Sequence, residues 1–170
     1  SGAPNTLWMR GLAEDIASLG RQGKSVLLVS SGAVALGRTY LGLAGKRVKI
    51  EDKQAAAAAG QPRLMSAWEE SFASVGLKTG QILLTREDTE IHNRWVNACR
   101  TVESLFRLGC LPIVNENDTL ATEEIRFGDN DRLAARAALL MKSEALILLS
   151  DIDGLYSADP RQDPQARHID

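Results

Sequence analysis

Short, wholly apolar runs alternating with stretches of helical spacing constrain the fold of this chain more than any other feature. Ser25-Val-Leu-Leu-Val-Ser30, Gln81-Ile-Leu-Leu-Thr85, Leu111-Pro-Ile-Val114 and Ala145-Leu-Ile-Leu-Leu149 are four such runs, each flanked by turn-forming or polar residues. A strand with one wet face alternates apolar with polar residues; one buried on both faces does not. Between the runs, Leu7, Trp8, Leu12, Ile16 and Leu19 recur at roughly helical spacing, and Gly20 to Gly23 closes that helix. Leu64, Trp68 and Phe72 share a face, as do Trp95, Cys99, Val102 and Phe106, and later Leu133, Ala137, Leu140 and Met141. Strands alternating with helices predict an α/β fold, a mostly parallel sheet covered by helices on both faces.

The boundaries follow from local chemistry. A helix is expected over Val34 to Leu41, and a glycine- and lysine-rich loop from Gly42 to Asp52. Gln54 to Ala59 forms helix strongly, Gly60-Gln61-Pro62 interrupts it, and Pro62 suits the first turn of a new helix. Thr122 to Phe127 reads as an edge strand or hairpin arm.

Parallel sheets of this kind bind ligands at the carboxyl ends of their strands, and polar residues gather there. Ser30-Ser31-Gly32-Ala33 follows the first strand just before a helix. Small residues there admit an anion to free N–H groups and the positive end of the helix dipole; Ser31 reads equally as an ordinary N-cap. The third strand ends in Asn115-Glu116-Asn117-Asp118. Asx residues make turns unaided, but Asp118 also suits a substrate ammonium and Asn115 a carboxylate or amide. Gly128-Asp129-Asn130-Asp131 precedes a helix that needs only one cap, so Asn130 is left for a polar ligand and Asp131 for a cation. Ser150-Asp151 and the loop through Asp153, Gly154, Tyr156, Asp159 and Pro160 follow the last strand, where carboxylates meet ribose hydroxyls or a metal, or merely solvent. Polar residues at several strand ends favour one shared site.

Composition narrows the function. At 170 residues and 44% hydrophobic, the chain makes one domain or most of a larger one. A net charge of −2 argues against a generic polyanion binder, and no apolar run approaches the roughly 20 residues of a membrane helix. Cys99 and Cys110 lack metal-ligand spacing and read as buried free thiols of a reducing cytosol; His92 and His168 read as surface or capping residues. There is no P-loop signature, no dinucleotide fingerprint, no protein-kinase set and no Ser-His-Asp relay.

With VSSGAVALG (29–37), AAAGQPRLM (57–65), QILLTREDTE (81–90), LPIVNENDTLATEEIRFGDNDRLAA (111–135) and LILLSDIDGLYSADPR (146–161) in view, the chain resembles the amino-acid kinase family, specifically its members that phosphorylate the side-chain carboxylate of glutamate. The resemblance spans nearly the whole chain and implies a three-layer α/β/α sandwich with a mainly parallel sheet. It implies ATP and Mg²⁺, a cytoplasmic enzyme opening proline synthesis, and a homo-oligomer with neither nucleic acid nor membrane as partner. By the same analogy Ser31, Gly32, Asn115, Asp118, Asp129 and Asn130 bind glutamate. Ser150, Asp151, Tyr156 and Asp159 lie by the nucleotide, and Asp131 positions the lysines that hold the transferring phosphoryl group. Proline feedback would involve Gly42 to Asp52. Ser30 and Ser150 stand where threonine is common, Pro62 where serine is common. The family's glycine-rich phosphate loop with one lysine belongs before Ser1, and a second lysine after Asp170. The chain as given is therefore expected to be a single partial domain, inactive alone. Related kinases of aspartate, N-acetylglutamate, carbamate or nucleoside monophosphates are the alternatives, as is a non-catalytic glutamate or proline sensor.

Overall fold

In the computed structural model the central strand is β3 (Cys110–Glu116), which pairs in parallel with β1 (Leu28–Val29) on one side and β2 (Lys78–Leu84) on the other. The structure describes residues 3–120, 129–150, 154–160 and 163–169. Around the sheet run α1 (Thr6–Arg21), α2 (Ala33–Tyr40), α3 (Ile50–Ala73), α4 (Arg86–Glu90), α5 (His92–Arg107) and α6 (Asp129–Leu140). A separate antiparallel pair, β4 (Leu155–Tyr156) with β5 (His168–Ile169), completes the order.

Strand alternation sorts the side chains into two cores. Leu111 and Ile113 of β3 face one way, against Met9, Ala13 and Ile16 of α1, Ala33 and Leu36 of α2, and Leu64, Trp68 and Phe72 of α3. Val114, with Ile82 and Leu84 of β2, faces the other way, against Trp95 and Val102 of α5 and Leu133 and Ala137 of α6. Helices therefore cover both faces, as the apolar strands required. Fully burying a side chain such as Phe72 or Ile113 is worth about 1.5–3 kcal/mol.

Several elements depart from expectation. β1 has two residues rather than six. Val114 gives its carbonyl to the Ser30 N–H at 2.9 Å, so alternate residues of β3, Pro112 among them, present their backbone to β1. Proline has no N–H to give, and the registered pairing with β1 begins only after it, at Ile113. α3 is one helix of 24 residues that passes through Gly60 and Pro62 and begins inside the expected loop. Packing against α2 overrides the local breakers, and the Arg63 guanidinium donates to the Ala59 carbonyl at 2.6 Å within the turn that Pro62 disturbs. On α1 the buried stripe is Met9, Ala13, Ile16 and Ala17, while Leu7 and Trp8 are exposed. Small Ala13 lets the helix approach closely; of the expected stripe Ile16 enters the core and Leu12 packs against it, while the bulk of Leu7 and Trp8 did not mark the buried face. Ala145–Leu149 is not a strand: Leu146 to Leu149 are exposed, and the run pairs with none of the described strands. Leu149 lies instead beside Trp8 and Leu12 of α1. Cys99 and Cys110 are half-buried free thiols, and burial pushes the Cys99 thiol up. The segment Thr122 to Phe127 lies outside the described residues.

The short helix α4 was missed, although Thr85-Arg-Glu-Asp88 is a capping sequence. The Thr85 N–H and hydroxyl donate to Asp88 at 2.8 and 2.7 Å, and Arg94 reaches the same carboxylate at 3.2 Å. Burial pushes the Asp88 carboxyl up, but these donors outweigh it and hold it below the usual carboxylate value. A lowered carboxyl stabilises the fold above its unfolded value, and the contribution is lost as pH falls through the lowered one. Asp88→Ala is expected to cost about 1 kcal/mol at neutral pH, the scale of a lost helix cap. In urea unfolding against pH, the gap to the parent should shrink in the acid range.

Candidate functional site at the strand ends

The parallel register carries the ends of β1 and β3 to one edge of the sheet. Asn115 follows Leu111 and Ile113 in the alternation, so it turns toward α3 and is almost wholly buried. There its Nδ2 donates to Gln61 Oε1 at 2.8 Å, and its Oδ1 accepts from the Glu116 N–H at 2.8 Å. From the start of α6, Asn130 Nδ2 donates to Asn115 Oδ1 at 3.1 Å and to the Ser30 carbonyl at 3.0 Å. Beneath them Trp68 Nε1 donates to the Ser30 hydroxyl at 2.8 Å. Polar groups this deep must be matched, and here they are matched mainly by one another.

α2 leaves this edge from Gly32, whose φ of 114° is strained for any residue with a Cβ. Gly32 is the helix cap and no side chain caps it, so Ser31 is not a serine N-cap; Ser31 and Gly32 are exposed. The α2 N-terminus thus ends uncapped beside buried Ser30, an arrangement that favours an anion. Close packing sets its direction: a Cβ at Gly60 would stand 1.8 Å from the Ala33 carbonyl oxygen.

The other expected residues are distributed unevenly. Asp118 is half-buried in the turn after β3, which is held by the Asn117 N–H donating to the Leu84 carbonyl at 2.8 Å. Asp129 opens α6, and Asp131 follows in the same turn, exposed. Arg136 anchors α6 to α4 through Thr89 at 2.6 Å and Glu90 at 3.2 Å. Ser150 is exposed at the end of the stretch from Ala145, and Asp151 lies outside the described residues. Tyr156 belongs to the separate β4–β5 pair, where the His168 ring meets it edge-on at 5.3 Å; Asp159 is exposed just beyond. Hydrogen bonds therefore join Ser30, Asn115 and Asn130 directly.

Gln61 and Trp68 went unnoticed as polar partners. Gln61 sits in a tripeptide that reads as a helix break, and Trp68 on a stripe that reads as core. Once α3 is known to be continuous, the seven-residue spacing puts both on one side of it.

The chain matches the amino acid kinase family over residues 2–170. It is 59% identical over 169 residues to a protein named glutamate 5-kinase from Caulobacter vibrioides, covering 99% of this chain and 45% of that protein. Proteins of the same name from Ruegeria sp. and Rhodospirillum rubrum are 55% and 54% identical, over 100% and 99% of this chain and 46% and 45% of theirs. The chain thus spans less than half the length of these relatives. Among solved structures it resembles the isopentenyl phosphate kinase product complex of T. acidophilum, with a TM-score of 0.61 at 17% identity, covering 97% of this chain and 69% of that one. That likeness speaks for the fold, and together with the full-length match it places this chain in the amino acid kinase family.

Proposed function

We propose that this chain is the acid-binding part of an ATP-dependent kinase that phosphorylates the side-chain carboxylate of L-glutamate, giving L-glutamyl 5-phosphate and ADP. The observation that carries this reading is the 54–59% identity, over essentially the whole chain, to proteins named glutamate 5-kinase. The strand-end geometry supports it.

A glutamate carboxyl has an ordinary pKa of about 4.3, so it is ionised at neutral pH and needs no general base. Its oxygen attacks the γ-phosphorus of ATP as the bond from that phosphorus to the bridging oxygen of ADP breaks; no proton moves. Catalysis then rests on alignment and on neutralising charge, which agrees with a site built from amides, hydroxyls and a helix N-terminus. In this reading Ser31, Gly32, Asn115, Asp118, Asp129 and Asn130 hold glutamate, and Ser150, Asp151, Tyr156 and Asp159 lie at the nucleotide. Asp131 orients the cations about the phosphoryl group. Its exposed carboxylate is a hard oxygen donor that fits Mg²⁺, an ion that usually takes only one or two carboxylates beside phosphate oxygens and water. When bound, Mg²⁺ supplies charge neutralisation on the phosphates.

A cytoplasmic homo-oligomer is the expected setting. Proline feedback, where present, would act through Gly42 to Asp52, whose first part Arg38 clasps through the Leu43 and Lys46 carbonyls at 3.3 and 2.6 Å. The test is ADP release by the full-length protein with Mg-ATP and each of glutamate, aspartate and N-acetylglutamate. Stimulation by glutamate alone is expected. Stimulation by another acid alone would reassign the substrate, and none with any acid would favour a sensor.

A further inference from the structure

Where β1, β3, α3 and α6 converge, the donors and acceptors of three buried amides can be matched in only one way. Asn115 Oδ1 lies 2.8 Å from the Glu116 N–H, a group that only donates, so the oxygen of that amide must face it. Nδ2 then faces Gln61, and the Gln61 atom 2.8 Å away must be its oxygen. Asn130 presents its nitrogen to the Ser30 carbonyl at 3.0 Å, a group that only accepts, and the same nitrogen serves Asn115 Oδ1 at 3.1 Å. Two backbone groups therefore set the direction of all three amides. Left over are Gln61 Nε2 and Asn130 Oδ1, both buried and without a hydrogen-bond partner among the described residues. One is a donor and the other an acceptor, the pair that complements a carboxylate and an ammonium. Orphaned buried groups are rare in native proteins and point to a ligand or a function.

We propose that Gln61 is a positioning residue for glutamate: by accepting from Asn115 it pins the place of the Asn115 side chain, whose Oδ1 holds the Asn130 nitrogen and so keeps the Asn130 carbonyl in place for the substrate. The inference rests on the reading of this chain as a glutamate kinase and adds to it a residue from α3. Remove the acceptor, and Asn115 Nδ2 becomes a buried donor with no partner. The Asn115 side chain is then held only through its Oδ1 and shifts to bring that donor to a partner, and Asn130 Nδ2 loses one of its two acceptors, keeping only the Ser30 carbonyl. The defect belongs to acid binding and not to the nucleotide.

The test is steady-state kinetics on the full-length protein with Gln61→Leu, Asn130→Ala and the double variant. Gln61→Leu should raise KM for glutamate about tenfold or more, the scale of one buried hydrogen bond lost. KM for ATP and kcat should stay within about twofold, a split that general loosening of the fold would not give. In the Asn130→Ala background, Gln61→Leu should add less than about threefold, because both act through one relay. An unchanged KM for glutamate in Gln61→Leu, or a full additive loss in the double variant, would overturn the proposal. Should the leucine variant fail to fold, Gln61→Met, of similar length with only a weakly accepting sulfur, is read by the same criteria. A parent protein that does not phosphorylate glutamate would sink the functional reading. A parent that does, with an unmoved Gln61 variant, would sink this inference alone.

Discussion

Replacing Gly60 by alanine is expected to lower the unfolding free energy by about 3 kcal/mol or more. The added Cβ would lie 1.8 Å from the Ala33 carbonyl oxygen and 2.6 Å from the Gly37 nitrogen, and a Cβ at Gly37 would lie 1.7 Å from the Ala56 carbonyl oxygen. These are backbone atoms, which cannot swing aside as a side chain would. α2 must lift from α3, and Ala33 and Leu36 leave the core they share with Leu64 and Phe72. Gly11→Ala in α1 is the control: nothing lies within 4 Å of its would-be Cβ, so the gain in helix propensity should stabilise by about 0.5–1 kcal/mol. Urea unfolding of both variants separates the two cases. If Gly60→Ala melts as Gly11→Ala does, the packing of α2 on α3 is not as described.

Asp131→Asn should do the reverse, leaving the fold intact while lowering kcat about a hundredfold or more, the scale of losing one preorganised charge at a phosphoryl centre. Asp131 is exposed in the first turn of α6, and no ion pair is seen for it among the described residues. Asparagine keeps its shape and most of its hydrogen bonding. The variant loses only a favourable charge near a helix N-terminus, about 0.3–1 kcal/mol. The measurement pairs thermal melting with turnover of the full-length protein. A normal melting midpoint with normal kcat would remove Asp131 from the catalytic account.

What the sequence made legible was periodic. The run that became β3 was readable because burial on both faces favours apolar side chains, that of β2 because Ile82 and Leu84 point into the core, and α5 because Trp95 and Val102 recur at helical spacing. Less legible was whatever depended on a neighbour. Pro112 shortens β1 from the next strand, a consequence visible only once the backbone directions are known. Gly60 and Pro62 read as a break because their cost is local and their compensation, the close approach of α2, is not. Ala145–Leu149 has the composition of a strand, but composition does not decide pairing, and the run joins none of the described strands. The same division holds at the site. Asn115 and Asn130 stood out as polar residues in excess of what turns and caps require, whereas Gln61 enters only through contact with Asn115 across 54 residues of sequence.

The central claim is transfer to a carboxylate, and hydroxylamine tests it most directly, because it traps an acyl phosphate as a hydroxamate. With full-length protein, Mg-ATP and glutamate, the account predicts γ-glutamyl hydroxamate formed in step with ADP, and none with aspartate or N-acetylglutamate. ADP released without hydroxamate, or hydroxamate from another acid in place of glutamate, would contradict it.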